Sequence, residues 1–299
     1  MSEQLPGRNP QVNVSGPATV DGERLTGRQR AIVAALAFHG EAGVTTDVLI
    51  DIVWGGTPPK AARQSLQNQI TRLRRCFGPD LVRTDKDGYR LGCETDLGAF
   101  QRLVGNLFDG PVSGDLVGRL EQALENWHGL PYSDLAEFVP VEAERYRLAE
   151  LHAQTEEHLA ASRLAAGDHA RAISDLTGMV TEEPYRDRRW ILLVLANHLA
   201  GRQAEALAAY DRAVSLFSED LRACPSALLT LLRDRIAAGE TIQLADLEDV
   251  HETSDVSVGE DAPTARASGP GIPAHRRQHP ARCRRGRGQS RHTTPKSPS

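Results

Sequence analysis

Small residues recur in register in the second half of the chain. Gly167, Ala170, Ala172 and Ile173 return as Gly201, Ala204, Ala206 and Leu207, 34 residues on. A period of that length holds a helix, a turn and a second helix, and small residues at matched positions let the two helices approach closely. One such unit cannot bury its apolar face alone, so neighbouring units must stack. The first copy closes at Pro184 and the second only at Pro225, which predicts a longer last helix in the second copy.

The expectation is therefore two or three helix hairpins side by side, with the period of tetratricopeptide helix pairs, preceded by helical patterns at 97–108, 116–127 and 141–166 and running on to about 238. Aromatic residues make up only 5% of the chain, which suits Ala/Leu-rich helix packing better than a β-sandwich core. With 299 residues, 40% of them hydrophobic, there is material for about two packed domains.

The first half has a different rhythm. VNV (12–14) and ATV (18–20) read as short strands joined at Gly16-Pro17. Thr26 is placed to cap a helix that carries Ile32, Val33, Leu36 and Ala37 and ends at Gly40. Thr45 or Thr46 starts a second helix with Val48, Leu49, Ile52 and Val53, stopped by Gly55-Gly56. A Gly/Pro loop leads to a third helix at 60–77, and beyond Gly78-Pro79 the strands LVRT and YRL form a hairpin, with Asp87-Gly88 at its turn. Three helices and a hairpin in about 70 residues is the layout of a winged helix. The fold class is thus mainly α: an N-terminal winged helix-turn-helix with small β elements, a tetratricopeptide-like helical domain and a disordered tail.

At about 100° per residue, Ala62, Leu66, Ile70, Leu73 and Phe77 fall on one stripe of the third helix and face the core. Gln64, Asn68, Thr71 and Arg75 fall opposite, flanked by Gln67 and Arg72, with Arg63 near the start of the helix. No acid occurs from Lys60 to Phe77. Gln and Asn match the adenine edge and Arg forks onto guanine, while cations without nearby carboxylates neutralise phosphates. Surface helices that serve solubility usually interleave Glu and Lys. The face is therefore a candidate for duplex DNA, and Arg83, Lys86 and Arg90 on the hairpin are candidates for backbone or minor-groove contact. Two plainer readings stand beside it: a solvated helix face, and a scaffold whose first domain docks protein. The net charge of −5 decides nothing, because a local basic face is what matters to DNA.

Residues 12–93 resemble the OmpR/PhoB-type winged-helix DNA-binding domain, through GRQRAIVAALAFH, TTDVLIDIVWGGTPPKAARQSLQNQITRLRRCFG and DGYRL. Residues 94–243 resemble the bacterial transcriptional activation domain, through ENWHGLPYSDL, EAERYRLAEL, AAGDHARAISDL, GRQAEALAAYDRAVSLFSEDL and CPSALLTLL. In that order the two resemble a Streptomyces antibiotic regulatory protein of the small, two-domain kind. The resemblance implies a pathway-specific activator of a secondary-metabolite gene cluster, homodimeric on direct-repeat promoter sites, which recruits the RNA polymerase holoenzyme. It also implies that the loop of Gly55, Gly56, Thr57, Pro58, Pro59 and Lys60 contacts the polymerase, and a plain Gly/Pro connector is the equal alternative; Trp54 is read separately as a core-packing residue. The approach VDGERLTGRQR is a few residues shorter than the family's strand and turn, which places the N-terminal sheet in question.

Other functions find little in the sequence. Cys76, Cys93, Cys224 and Cys283 have no C-x-x-C spacing, and no G-x-x-x-x-G-K-[ST] occurs, so no metal and no cofactor are expected. His128, His152, His158, His169 and His198 lie in helical patterns without a nucleophile at working spacing, which reads as packing, not as an enzyme. There is no long apolar run and no apolar signal core, so the expected place is the cytoplasm, away from membranes. Residues 244–299 are expected to form a disordered basic tail, free of acids after Asp261. It reads as a nonspecific DNA-binding arm, a solvated end, or the product of a reading-frame change.

Overall fold

In the computed structural model, which describes residues 10–246 apart from 109 and 137, the chain opens on a small antiparallel sheet. Its strands are β1 (Val12–Asn13), β2 (Thr19–Val20) and β3 (Glu23–Arg24), in the order β1-β2-β3. The two expected strands are present and a third joins them. Asp21 and Gly22 connect β2 to β3 with φ of 50° and 76°, the left-handed pair that a two-residue hairpin requires. A tight Asp-Gly turn thus closes the sheet within the shortened approach.

Helix α1 (Gly27–His39) starts at Thr26, whose N–H donates to Gln29 Oε1 at 3.1 Å, and stops at Gly40 with φ of 55°. Strand β4 (Val44–Thr45) leads into α2 (Thr46–Trp54), where Thr45 Oγ1 accepts from the N–H of Val48. Helix α3 (Ala62–Phe77) begins two residues later than its periodicity suggests. The N–H of Ala62 closes a turn onto the carbonyl of Pro59, so Lys60 and Ala61 belong to the loop. Strands β5 (Val82–Thr84) and β6 (Gly88–Leu91) form the hairpin, and the second sheet runs β4-β6-β5.

One expectation fails here. Gly88 is not in the hairpin turn; it starts β6 and pairs with Thr45, leaving the turn to 85–87. A Cβ on Gly88 would lie 1.9 Å from the carbonyl oxygen of Val44, so close strand approach requires the glycine.

The rest is helical: α4 (Asp96–Val104), α5 (Val117–Leu124), α6 (Val141–Ala165), α7 (His169–Glu182), α8 (Asp187–Leu199), α9 (Gln203–Asp220) and α10 (Ala227–Ala237). Helices α4 and α5 are shorter than 97–108 and 116–127, because each ends in a backbone turn and a 3-10 turn at Gly114–Leu116 precedes α5. The repeat falls on the pairs α7/α8 and α9/α10. The helix that runs toward the late proline, α9, has 18 residues against 14 in α7, but α10, the last helix of the second pair, has 11 against 13 in α8. The extra length therefore falls on the first helix of that pair and not on its last. Helices α6, α8 and α10 all stop by one device. Gly167, Gly201 and Gly239 turn left-handed, and the following N–H reaches back to the carbonyl of Arg163, Asn197 or Arg235.

Ala206 is fully buried on α9 among Trp190–Ala196 of α8 and their neighbours, which all share one core. Ala206→Leu should overpack that contact and lower the unfolding free energy by about 1–3 kcal/mol. Urea unfolding of parent and variant checks it; equal midpoints would contradict close packing here.

The two halves share a core. Tyr132, Leu135, Val141 and Leu148 are buried in the same cluster as Val12, Ile32, Leu49 and Leu66. The N–H of Tyr132 donates to the Val14 carbonyl at 2.7 Å, and the Asp134 carboxylate accepts from Ala18 N and Arg30 Nε, both at 2.7 Å. Residues 1–9 and most of the expected tail, from 247 on, lie outside the described residues. Just before that point Ile242 is buried and Asp246 pairs with Arg235.

Candidate nucleic-acid interface

Helix α3 is held by the stripe that its sequence pattern marks. Ala62, Leu66, Ile70 and Leu73 are buried, and Phe77 packs half-buried against the same core. That burial turns the opposite side to solvent: Arg63, Gln64, Gln67, Asn68, Thr71, Arg72 and Arg75 are all exposed. Gln64 Nε2 donates to Asn68 Oδ1 at 3.3 Å, one turn along, so the two amides form a joined pair. Arg63 is engaged by Asp47 at the start of α2, at 2.7 Å. Both partners are exposed, so that pair is easily exchanged for another anion.

The hairpin is more balanced in charge than its three cations suggest. Arg83 lies 3.7 Å from Asp80, Lys86 is exposed between Asp85 and Asp87, and Arg90 is half-buried in β6. Three acids and three bases therefore cancel over 80–90. By contrast Lys60, Arg63, Arg72, Arg74 and Arg75 face no acid within the helix segment itself. Of the two elements, α3 therefore carries the net positive charge, although Arg63 is paired with Asp47 of α2.

The α2–α3 loop is shaped by Gly55 and Gly56, with φ of 57° and 76°, and by Thr57, whose N–H and Oγ1 both donate to the Trp54 carbonyl at 3.1 Å. Pro58, Pro59 and Lys60 are exposed and border a shallow pocket that also takes in Ile50, Gln64 and Gln67. The loop and the exposed outer side of α3 are thus contiguous. Trp54 is half-buried against the shared core, under the Arg28 guanidinium at 5.8 Å from its ring, as expected of a packing residue.

Periodicity alone misses two residues of this region. Arg74 falls between the core stripe and the outer face, and Asp47 lies on another helix; neither role has a local signal. Among the histidines, His152 stacks on Trp127 (centroids 4.4 Å apart) and His158 on Phe108 (4.2 Å), which is packing. No group of three or more metal-ligating side chains with metal-site geometry occurs among the described residues.

A three-helix unit with a hairpin wing, joined through a shared core to stacked helix pairs, defines a winged helix-turn-helix protein with a tetratricopeptide-like second domain. Residues 95–237 match the family model of the bacterial transcriptional activator domain. The chain is 32% identical over 234 residues to the transcriptional regulatory protein EmbR of Mycobacterium tuberculosis, a match that covers 73% of this chain and 60% of that protein. It is 34% identical over 238 residues to the regulatory protein AfsR of Streptomyces coelicolor, covering 75% of this chain but 24% of AfsR. With the regulatory protein DnrI of Streptomyces peucetius it shares 29% identity over 248 residues, covering 76% of this chain and 91% of DnrI. The solved structure of M. tuberculosis EmbR in complex with a low-affinity phosphopeptide superposes with a TM-score of 0.68 at 28% identity, covering 83% of this chain and 70% of that one. These matches support a transcriptional regulator of the Streptomyces antibiotic regulatory protein type, and the chain spans about 60% of the length of the EmbR proteins it matches. No described helix is long and apolar enough to cross a membrane.

Proposed function

We propose that the chain is a sequence-specific DNA-binding transcription activator. It acts in the cytoplasm as a homodimer on direct-repeat promoter sites, without a cofactor, and serves a secondary-metabolite gene cluster, as the resemblance to the Streptomyces antibiotic regulatory proteins implies. In this reading 12–93 reads DNA, 94–243 carries activation, and the exposed loop 55–60 meets RNA polymerase. The observation that carries the proposal is the α3 surface: an exposed amide, hydroxyl and guanidinium face, with no acid on the helix itself and a buried stripe on the opposite side. Direct repeats about one helical turn apart would present two such faces on one side of the duplex.

Arg75→Ala and Asn68→Ala should each weaken specific binding by about 1–3 kcal/mol, roughly 5- to 150-fold. The check is a gel-shift titration on DNA upstream of the neighbouring genes, repeated at several salt concentrations and against random duplex. Steep salt dependence with specificity supports the reading. Parent-like binding by both variants would remove the reading face, and absence of duplex binding by the parent would favour protein docking.

A further inference from the structure

The wing is a slight structure to aim at a duplex. Its outer strand β5 has three residues and bonds to β6 alone, with β4 on the other side of β6. A hairpin of that size is marginal without tertiary support. Val82 is anchored in the core, but from Arg83 to Asp87 every residue is exposed.

Support comes from α3. Arg74 Nε donates to the Val82 carbonyl and Nη2 to Thr84 Oγ1, both at 2.8 Å. A planar guanidinium presents two donors in a fixed fork, so one side chain bonds the backbone and the last side chain of β5 together. Arg74 is half-buried, whereas Arg72 and Arg75 are exposed. It shares the helix with Thr71 and Arg75, so whatever moves the reading face moves the wing.

We propose that Arg74 is a positioning residue, which fixes the wing to the recognition helix so that both meet one duplex as a unit. Its charge serves the protein's own hairpin; the phosphates are left to its neighbours. The inference rests on the DNA-binding reading for its purpose, but the hold on the hairpin exists without DNA.

Two arms separate these. In the free full-length protein, hydrogen exchange of the β5 and β6 amides should quicken about tenfold in Arg74→Met, with α1 and α2 amides unchanged. Thr84→Val, which keeps the arginine and removes one acceptor, should quicken the same amides to a smaller extent. Parent-like exchange in Arg74→Met, or in Thr84→Val if Arg74→Met does not fold, overturns the proposal. On operator DNA, Arg74→Met should weaken binding about tenfold in the parent, but less than about threefold when Arg83 and Lys86 are already alanine. A full tenfold loss in that background would mean Arg74 touches DNA itself, and overturns positioning. If the parent binds no duplex, the DNA reading falls alone, and the exchange arm still decides whether Arg74 holds the hairpin.

Discussion

Asp96→Ala should lower the unfolding free energy by roughly 3–5 kcal/mol, because one carboxylate organises the junction between the two halves. Asp96 is the first residue of α4 and is 5% exposed. Its oxygens accept from Val14 N at 2.8 Å, Ser15 N at 3.0 Å and Leu97 N at 2.8 Å, and from the Ser15 hydroxyl. Ser15 Oγ accepts in turn from the N–H of His128 at 3.0 Å, which draws the 126–134 segment into the same knot. Val14 and Ser15 are both buried, so alanine would strand two backbone donors away from water. Each stranded donor costs about 1–3 kcal/mol. At about 2–4 °C per kcal/mol for a chain of this size, the melting temperature should fall by roughly 10 °C. Asp96→Asn, which keeps one acceptor oxygen, should fall between. A loss below about 1 kcal/mol in Asp96→Ala would show that the anchor carries little weight. A fragment ending at residue 93 goes further in the same direction, since it also lacks Asp134 and the buried Tyr132, Leu135, Val141 and Leu148. The proposed boundary at 93/94 thus divides sequence patterns but cuts through a single core.

That boundary shows where sequence reading reaches its limit. Periodic features were legible: the α3 stripe repeats over four turns, and the small-residue repeat locates α7 and α9. Strand β3 is the exposed pair Glu-Arg and β4 runs straight into the Thr45 cap of α2, so neither stands out as VNV and ATV do around the equally short β1 and β2. The same dipeptide, Asp-Gly, then plays opposite parts. At 21–22 it is a true left-handed turn, whereas at 87–88 its glycine is required by the nearby carbonyl of Val44. Both sites favour glycine, for reasons that only the approach of another strand distinguishes. The third left-handed cap, Gly239, follows Gly201 by 38 residues and so escapes a search at the 34-residue period. Arg74 and Asp96 have meaning only through their partners. Asp96 lies 81 and 82 positions from the two backbone donors it satisfies, and nothing near it in sequence announces them. Of the candidate interface, the exposed face was readable from spacing, but the hold on the wing was not.

Acid should loosen the helical half through His152. Its ring stacks on Trp127, lies 6.2 Å from Phe100 and sits 3.8 Å from the Glu156 carboxylate. Burial pushes its pKa down to about 4, and the positive charge of Arg189 on α8 pushes the same way. An unfolded histidine titrates near 6.5, so between about pH 6.5 and 4 the unfolded chain binds more protons than the folded one. The sign follows: stability from neutral His152 is complete above about pH 6.5 and is lost as pH falls toward 4. By pH 4.5 the loss should be about 2–3 kcal/mol. His158 is lowered by burial too and adds in the same direction. Glu156, raised by its own burial, opposes them, because its folded carboxyl takes up a proton more readily. His152→Phe keeps a ring against Trp127 and removes the titration, leaving Glu156 and His158 in place. Urea unfolding at pH 7 and pH 4.5 should therefore show the parent losing about 2–3 kcal/mol more than the variant over that interval. Parallel losses in the two proteins would mean that His152 opens to water and charges without unfolding, and the stacked ring would then not be what holds α6 against Trp127.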